Sequence, residues 1–222
     1  MSPEVPLCWS LVVPVKVLAQ AKSRLIGLRA SDRADLALAM ATDTVAAAVA
    51  AAAVRAVLVI TDDPAVGAEM ARLGAQVLPD EPASGLNEAL TFGAAYARDH
   101  WPERGVAGLA GDLPSLQPGE LTAALGAAAM SAHAFVPDAD GTGTTLYAVA
   151  PGTRFEPLFG VASAARHLAA GATELDLPEL AGLRQDVDTA EDLRQAASIG
   201  LGPRTRALLE ASGGLPISVQ DG

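Results

Sequence analysis

The chain has 222 residues, half of them hydrophobic, and a formal net charge of −11 at pH 7. This length is enough to bury one sizeable core, so a single domain over residues 1–222 is expected, with 203–222 as a loosely attached C-terminal tail. The negative charge argues against nucleic acid or a membrane surface as a partner, because both are polyanions. An anionic substrate would need local cations, most simply a metal ion.

One cysteine, Cys8, excludes a disulfide within the chain and a cysteine-based metal cage. The first residues lack the basic and apolar regions of a signal peptide. No run of about 18 apolar residues is long enough to span a membrane. A cytoplasmic location is therefore expected.

Apolar runs alternate with helix patterns along the chain. The predicted strands are 11–15, 56–60, 75–78, 106–110, 134–136, 144–149 and 183–187. The predicted helices are 31–53, 65–73, 85–98, 119–130, 163–170, 189–198 and 204–211. This alternation is typical of an α/β fold with a mostly parallel sheet covered on both faces, in which ligands bind beyond the carboxyl ends of the strands.

A basic segment follows the first predicted strand. The chain has thirteen arginines but only two lysines, Lys16 and Lys22, and both lie here together with Ser23 and Arg24. Ammonium and guanidinium groups neutralise phosphate oxygens, so the segment is a candidate triphosphate cradle. It lacks the glycines of a P-loop or of a dinucleotide-binding turn. An ordinary solvated basic loop is the alternative.

Carboxylates follow two of the predicted strands. Asp112 comes just after strand 106–110, and alternation places Asp186 and Asp188 on one face of a later strand end. Mg²⁺ takes one or two carboxylates together with phosphate oxygens and water, so Asp112 and one of the later pair are candidate ligands. A turn cap at Asp112 and a helix capping box beginning at Asp188 or Thr189 are the alternatives.

Small and hydroxyl-bearing residues fill two further segments, 141–145 (GTGTT) and 159–167 (FGVASAARH). Their hydroxyls, and a helix that starts at Ser163 and carries Arg166, suit a second anion. The triplet 138–140 (Asp-Ala-Asp) has the DxD form of sugar-nucleotide enzymes, which makes a GT-A-type glycosyltransferase an alternative function. In a turn of this composition, ordinary turn chemistry is the more common reason for such a triplet.

The three histidines, His100, His133 and His167, lack metal-ligand spacing, and no acid–base role is assigned to them. A triphosphate cradle, a Mg²⁺ site and a second anion site suit transfer of a nucleotide onto a phosphate, and this reaction does not require an acid–base residue. A phosphate monoester has a second pKa of about 6 and is already largely ionised near neutral pH. Positioning and charge neutralisation are then sufficient for transfer of a nucleotide onto a phosphate.

Taken together, these motifs resemble the CofC/FbiD guanylyltransferases of coenzyme F420 biosynthesis. The matching segments are 13–16 (VPVK), 21–25 (AKSRL), 84–90 (SGLNEAL), 111–116 (GDLPSL), 141–145 (GTGTT) and 159–167 (FGxxSxxRH). The resemblance covers nearly the whole chain. It implies a nucleotide-diphospho-sugar-transferase-like (GT-A/Rossmann-like) three-layer α/β sandwich with a mostly parallel mixed sheet. It also implies transfer of GMP from GTP to phosphoenolpyruvate or 2-phospho-L-lactate, with release of pyrophosphate.

The resemblance further implies a role for each matching residue. The residues implied for the nucleotide are Pro14, Lys16, Lys22, Ser23, Arg24, Gly85, Leu86 and Asn87, with Gly85 and Asn87 near the guanine or ribose. Lys16, Lys22 and Asp112 are implied in catalysis. Mg²⁺ is implied on Asp112 and Asp188, and the phosphorylated acid on Thr145, Gly160, Ser163 and Arg166. A downstream transferase that accepts an unstable product is the implied partner.

One segment departs from the family pattern. The family usually reads Phe-Gly-Pro-Gly-Ser where this chain has Phe159-Gly160-Val161-Ala162-Ser163. Loss of the second glycine would reshape the loop if that position needs a positive φ. A catalytically inactive GTP-binding homologue is therefore a further alternative, and the choice between the two acceptors stays open.

Overall fold

The computed structural model describes residues 8–15, 30–81 and 83–212. The strands in these ranges are β1 Trp9–Pro14, β2 Val54–Ile60, β3 Gln76–Leu78, β4 Gly105–Leu109, β5 His133–Pro137, β6 Thr144–Val149 and β7 Thr173–Glu174. The helices are α1 Ala30–Ala50, α2 Pro64–Arg72, α3 Leu86–His100, α4 Pro118–Ala128, α5 Ser163–Ala169, α6 Ala181–Arg184, α7 Ala190–Ile199 and α8 Pro203–Ala211. None of these helices combines the length and apolarity that crossing a membrane demands.

The seven strands of the described residues form one sheet in the order β3-β2-β1-β4-β6-β5-β7. Of these strands, β6 alone is reversed: it is antiparallel to β4 and β5, whereas the other four pairs are parallel. The predicted mostly parallel mixed sheet is thereby confirmed. The reversal places Thr144 and Thr145, at the start of β6, at the edge where β1, β4 and β5 end.

Helices cover both faces of the sheet, which is why its strands are apolar on both sides. In β1, Leu11 and Val13 belong to the core cluster shared with α1, α2 and α4, whereas Val12 belongs to the cluster shared with α3 and α5. A β-carbon on Gly93 would lie 2.4 Å from Val12 Cγ1, so a glycine lets α3 pack directly on β1. The predicted three-layer sandwich is confirmed.

A third cluster joins the last two helices to the outer side of α1. We call it the C-terminal cluster; its buried members are Leu36, Met40, Val187, Leu193, Ala196, Leu201 and Leu209. The carboxylate of Asp43 accepts two backbone N–H groups at the start of α8, at 3.0 and 2.8 Å, and thereby caps that helix. The first part of the expected tail thus forms a helix held on α1, and residues 213–222 lie outside the described ranges.

The predicted strand 183–187 is wrong. Its first two residues end α6, and the chain from there to α7 forms neither helix nor strand. Leu183, Gln185 and Val187 are buried while the residues between them are less so, and this alternation has the period of a strand. Here the alternation occurs without a partner strand, so the hydrogen bonds that define a strand do not form. The two-residue strand β7 was not predicted, because it is too short to show a pattern.

Candidate functional site

The carboxyl ends of β1 and β4 lie side by side because the two strands pair in parallel. Pro14 ends β1, and a β-carbon on Gly111 would lie only 3.1 Å from the Pro14 carbonyl oxygen. Asp112 follows directly and is half-buried. The structure therefore brings Pro14 and Asp112 to the same edge of the sheet, the edge at which open α/β sheets bind their ligands.

Asp188 reaches this edge from the other end of the chain. The N–H of Val187 donates to the carbonyl oxygen of Asp112 at 3.2 Å, so the backbones of the two predicted metal ligands run side by side. Val187 is fully buried in the C-terminal cluster and anchors the segment. Asp188 is exposed and Asp186 is half-buried. The backbones of Asp186 and Asp188 therefore flank the residue that pairs with Asp112.

A capping box begins α7, in one of the two forms that the sequence offers. The Thr189 hydroxyl accepts from the N–H of Asp192 at 3.2 Å, and the Asp192 carboxylate accepts from the N–H of Thr189 at 2.7 Å and of Asp188 at 3.0 Å. The box thus uses the backbone of Asp188 and the carboxylate of Asp192. The capping and metal-ligand interpretations of this segment are compatible.

Asp112 and Asp188 together offer hard oxygen donors. Across the ranges 8–15, 30–81 and 83–212, no group of three or more His, Cys, Asp or Glu residues that could hold a metal ion occurs. Mg²⁺ is reluctant to dehydrate and is usually held by one or two carboxylates plus substrate phosphates. This pair therefore has the donor chemistry for a Mg²⁺ ion that binds together with a nucleotide.

The predicted acid-binding residues meet at the start of β6. The carbonyl oxygen of Thr145 accepts from the N–H of Ala110 at 2.8 Å. Thr145 therefore lies beside the end of β4, two residues before Asp112. The Ser163 hydroxyl donates to Oγ1 of Thr144 at 3.1 Å, and both Thr145 and Ser163 are only 1 % exposed. The segment 158–163, called here the acid loop, therefore enters α5 directly beside the strand-end edge.

The first two residues of the acid loop have all their backbone polar groups paired with side chains. The N–H of Leu158 donates to Nε2 of His167 at 3.0 Å, and its carbonyl accepts from Nη2 of Arg166 at 2.7 Å. The N–H of Phe159 donates to Oδ1 of Asn87 at 2.9 Å. Its carbonyl accepts from Nδ2 of Asn87 at 3.1 Å and from Arg166 at 2.9 Å. Three side chains, one from α3 and two from α5, thus fix its shape.

His167 is fully buried, and its ring binds the acid loop at Leu158. Its ring stacks on Tyr147 and Phe135, with centroids 4.5 and 5.6 Å away. Burial, and then the charge of Arg166, lower the pKa of His167 to about 4. Because Nε2 accepts from a backbone N–H, we assign the ring proton to Nδ1, which lies 3.0 Å from Oγ1 of Thr144.

The sequence pattern does not predict this role for His167. Ser163 and His167 are four residues apart, so they share one face of α5, and both contact Thr144. That spacing in the FGxxSxxRH segment is the signal that links them. The resemblance implies Asn87 near the guanine or ribose, and this stays a prediction; in the structure its carboxamide bonds to Phe159 of the acid loop.

We expect His167 to make the protein less stable in acid. Its pKa lies near 4 in the folded chain and near 6.5 when unfolded, so between these values only the unfolded state binds the proton, and stability falls as the pH falls. His167→Phe keeps the ring stacking and removes this titration. Urea unfolding across this window should then lose a slope of about 1.4 kcal/mol per pH unit. An unchanged slope would contradict the buried neutral histidine.

The altered position in the acid loop does need a positive φ. Ala162 has φ 53° and ψ 35°, in the left-handed region, where a β-carbon costs about 1–2 kcal/mol. The position of the missing glycine thus has a positive φ, and Ala162 adopts that conformation at an energetic cost. Val161, next to it, is 93 % exposed, so its side chain adds no packing that would offset the strain.

Replacing Ala162 with glycine should therefore stabilise the protein. Relief of the left-handed strain exceeds the entropy cost of glycine, and we expect a gain of about 0.5–1 kcal/mol in unfolding free energy. This corresponds to a melting temperature higher by about 2–3 °C, measurable by thermal unfolding. Ala165→Gly, in the regular part of α5, is the matched control and should destabilise by about 1 kcal/mol. A loss of stability in both variants would rule out strain at Ala162.

The remaining predicted residues divide into two groups. Lys16, Lys22, Ser23 and Arg24 lie outside the described residues. The other group, Gly85, Leu86 and Gly160, lies within them. Gly85 precedes α3 with φ +139°, and Leu86 begins that helix and is partly exposed. Gly160 has φ +113°.

The DxD triplet has a structural explanation. The carboxylate of Asp138 accepts the N–H groups of Thr142 and Gly143, each at 2.8 Å, and so closes the turn between β5 and β6. This is the turn chemistry that the sequence favours over a sugar-nucleotide site.

Solved structures with the same arrangement are nucleotidyltransferases of the nucleotide-diphospho-sugar transferase fold, and this chain has that fold. A Desulfovibrio desulfuricans protein, described as a nucleotide-diphospho-sugar transferase, matches with a TM-score of 0.67 and 18% identity over 92% of this chain and 95% of that one. A nucleotidyl transferase from Methanothermobacter matches with a TM-score of 0.58 and 18% identity over 86% and 97%. At such identities the likeness establishes the fold alone.

The family follows from the sequence comparisons. The model of the family described as "Guanylyl transferase CofC like" matches residues 9–220, and the chain belongs to this family. A Thermomonospora curvata relative named phosphoenolpyruvate guanylyltransferase is 56% identical over 207 residues, which are 93% of this chain and 91% of the relative. A Streptomyces scabiei relative of the same name is 56% identical over 204 residues, 90% of this chain and 94% of the relative. The family expected from the motifs is confirmed.

Proposed function

We propose that this protein transfers GMP from GTP to phosphoenolpyruvate and releases pyrophosphate, as a step in coenzyme F420 biosynthesis. The names of relatives at 56% identity support this reaction. The structural observation that carries it is the meeting of Asp112, Asp188 and Thr145 at the carboxyl edge of the sheet, beside the acid loop. The glycosyltransferase alternative is not favoured, because the Asp138 carboxylate closes a turn.

The reaction is one substitution at phosphorus. An oxygen of the acceptor phosphate forms a bond to the α-phosphorus of GTP. The bond from that phosphorus to the α–β bridging oxygen breaks, and its electron pair leaves with pyrophosphate. The acceptor phosphate is largely ionised near neutral pH, since its second pKa is about 6, so no side chain has to remove a proton. The protein therefore acts by holding the two substrates in line and by neutralising charge.

Charge neutralisation is assigned to two groups of residues. Asp112 and Asp188 are proposed to hold Mg²⁺, which when bound neutralises negative charge on the phosphates. Lys16, Lys22 and Arg24 are proposed to hold the triphosphate and to stabilise the departing pyrophosphate. Gly85, Leu86 and the basic segment would flank the nucleotide.

The acid loop supplies the acceptor side. Within the described residues, the N–H groups of Gly160, Val161 and Ala162 donate to no protein acceptor. Successive N–H groups of this kind form an anion-binding concavity. We assign the phosphorylated acid to this loop together with Thr145, Ser163 and Arg166. The guanidinium of Arg166 already binds two loop carbonyls through Nη2, which keeps its positive charge at the loop.

Pyrophosphate release from GTP and Mg²⁺, with one acceptor at a time, tests this function. The acceptors are phosphoenolpyruvate, 2-phospho-L-lactate and 3-phosphoglycerate. We expect release with phosphoenolpyruvate, none without an acceptor, and loss of activity when Mg²⁺ is chelated. Release with 2-phospho-L-lactate alone would reassign the acceptor. Binding of GTP without release in any mixture would favour the inactive homologue.

The proposed product joins two phosphates in an anhydride, which is a reactive linkage. A downstream transferase that accepts this unstable product is therefore the proposed partner. Since GTP and phosphoenolpyruvate are both metabolites of the cytoplasm, we place the reaction there.

A further inference from the structure

We propose that Asn87 is a positioning residue of the acid loop and not a ligand of the nucleotide. This inference rests on the proposed function in one respect, the assignment of the acceptor to that loop. It changes the role that the family resemblance implies for Asn87, and it makes α3 part of the acceptor side of the site.

Both ends of the Asn87 carboxamide bind one residue of the loop. Oδ1 accepts from the N–H of Phe159 at 2.9 Å, and Nδ2 donates to the carbonyl of the same residue at 3.1 Å. A carboxamide carries one acceptor oxygen and one NH₂ group, so it can pair with both backbone groups of a residue as a neighbouring strand would. Turning the carboxamide toward a base would leave the N–H of the buried Phe159 without its acceptor.

Asn87 lies in the first turn of α3, a helix that other contacts hold in place. Ala89, Leu90 and Ala94 are buried in the core cluster between α3 and the sheet. The carboxamide is therefore a fixed point, 72 residues away in sequence from the loop that it binds. A rigid helix that forms two hydrogen bonds with a loop fixes the position of that loop.

The place where Asn87 binds the loop explains how it positions the acid-binding residues. Phe159 directly precedes Gly160, Val161 and Ala162, whose N–H groups have no acceptor among the described residues. Glycine at 160 gives the backbone freedom to adopt many conformations, and the pairing of Phe159 restricts them. Without Asn87 the N–H of Phe159 loses its acceptor, so more of the loop must be ordered when the acid binds, and that ordering weakens binding of the acid. Binding of GTP does not depend on this ordering.

Steady-state kinetics of Asn87→Ala separates the two roles. We expect the KM for phosphoenolpyruvate to rise about tenfold, with the KM for GTP and the kcat within about threefold of the wild type. A nucleotide ligand would instead raise the KM for GTP, and calorimetric titration with GTP should show no weakening in the variant. A rise in the GTP KM that equals or exceeds the rise for phosphoenolpyruvate overturns the proposal.

Thr122→Ala is the matched control. Thr122 accepts the N–H of Ala52, 70 residues away, at the opposite edge of the sheet, so its loss removes a comparable long-range bond far from the site. Both KM values should stay within about twofold of the wild type in this variant. A selective rise for phosphoenolpyruvate in Thr122→Ala would show that general loosening, and not the grip on Phe159, causes the effect.

Hydrogen exchange of the ligand-free protein gives a readout independent of turnover. The amide of Phe159 should exchange at least about tenfold faster in Asn87→Ala and be unchanged in Thr122→Ala. If the wild type releases no pyrophosphate with phosphoenolpyruvate, the proposed function fails, whereas faster exchange with intact GTP binding still supports the positioning role. Unchanged exchange at Phe159 overturns that role whatever the activity.

Discussion

Asp112→Asn is expected to reduce turnover by about a thousandfold or more, because a neutral amide is a poor ligand for Mg²⁺ and such charge neutralisation contributes several kcal/mol. The fold should persist. The substitution preserves side-chain shape, and the carbonyl oxygen that pairs with the N–H of Val187 belongs to the backbone. Pyrophosphate release at saturating GTP and phosphoenolpyruvate measures the loss, and circular dichroism checks the fold.

Asp140→Asn is the control for this experiment. Asp140 is exposed in the turn after β5, and the same change of charge there should leave turnover within about twofold of the wild type. If Asp112→Asn kept its Mg²⁺-dependent activity, the metal role of Asp112 would be wrong. A severe loss in Asp140→Asn alone would instead support the sugar-nucleotide interpretation of the triplet 138–140.

Gly182→Ala is expected to lower the unfolding free energy by about 3 kcal/mol, one of the larger effects for a single methyl group. A β-carbon at this position would lie 2.2 Å from the carbonyl oxygen of Ser115, a backbone atom in the turn that follows Asp112. The N–H of Gly182 also donates to Oε1 of Glu120 at 2.7 Å, so α6 cannot move away without losing that bond. Denaturant unfolding should show the loss, with a melting temperature lower by roughly 10 °C.

Gly126→Ala provides the comparison of opposite sign. Gly126 lies within α4, and a β-carbon there would meet nothing within 4 Å. We expect this variant to gain about 0.5–1 kcal/mol, because alanine favours the helix and has space. If Gly182→Ala were as stable as the wild type, the close packing of α6 on the turn after Asp112 would be refuted.

The alternation of elements was predictable because each strand between buried faces forms a continuous apolar run and each helix has its own period. The direction of β6 was not predictable from the pattern, since a strand has the same pattern whichever way it runs. The error at 183–187 has the same origin. Burial at every second residue is necessary for many strands, but the hydrogen bonds that define a strand come from a partner that the local sequence does not specify.

The candidate site was predictable in part for a related reason. Asp112 follows a strong apolar run, and its position at the sheet edge is a consequence of that strand. The contacts of Asn87 with Phe159 and of His167 with Leu158 were not predictable, because their partners are backbone groups. Every residue other than proline offers the same N–H and C=O, so the partner residue type carries no signal.

The placement of Asp188 has a consequence for the order in which the site is built. A ribosome delivers the chain from its N-terminus, and Asp112 with most of the sheet emerges well before α7 and α8. In the described part of the chain, these last helices cover Leu36 and Met40 of α1, and Val187, just before them, pairs with the backbone of Asp112. A nascent chain that stops short of Val187 therefore leaves the apolar face of α1 without these helices and carries only Asp112 of the pair. We therefore expect the proposed Mg²⁺ site to be complete only near the end of translation.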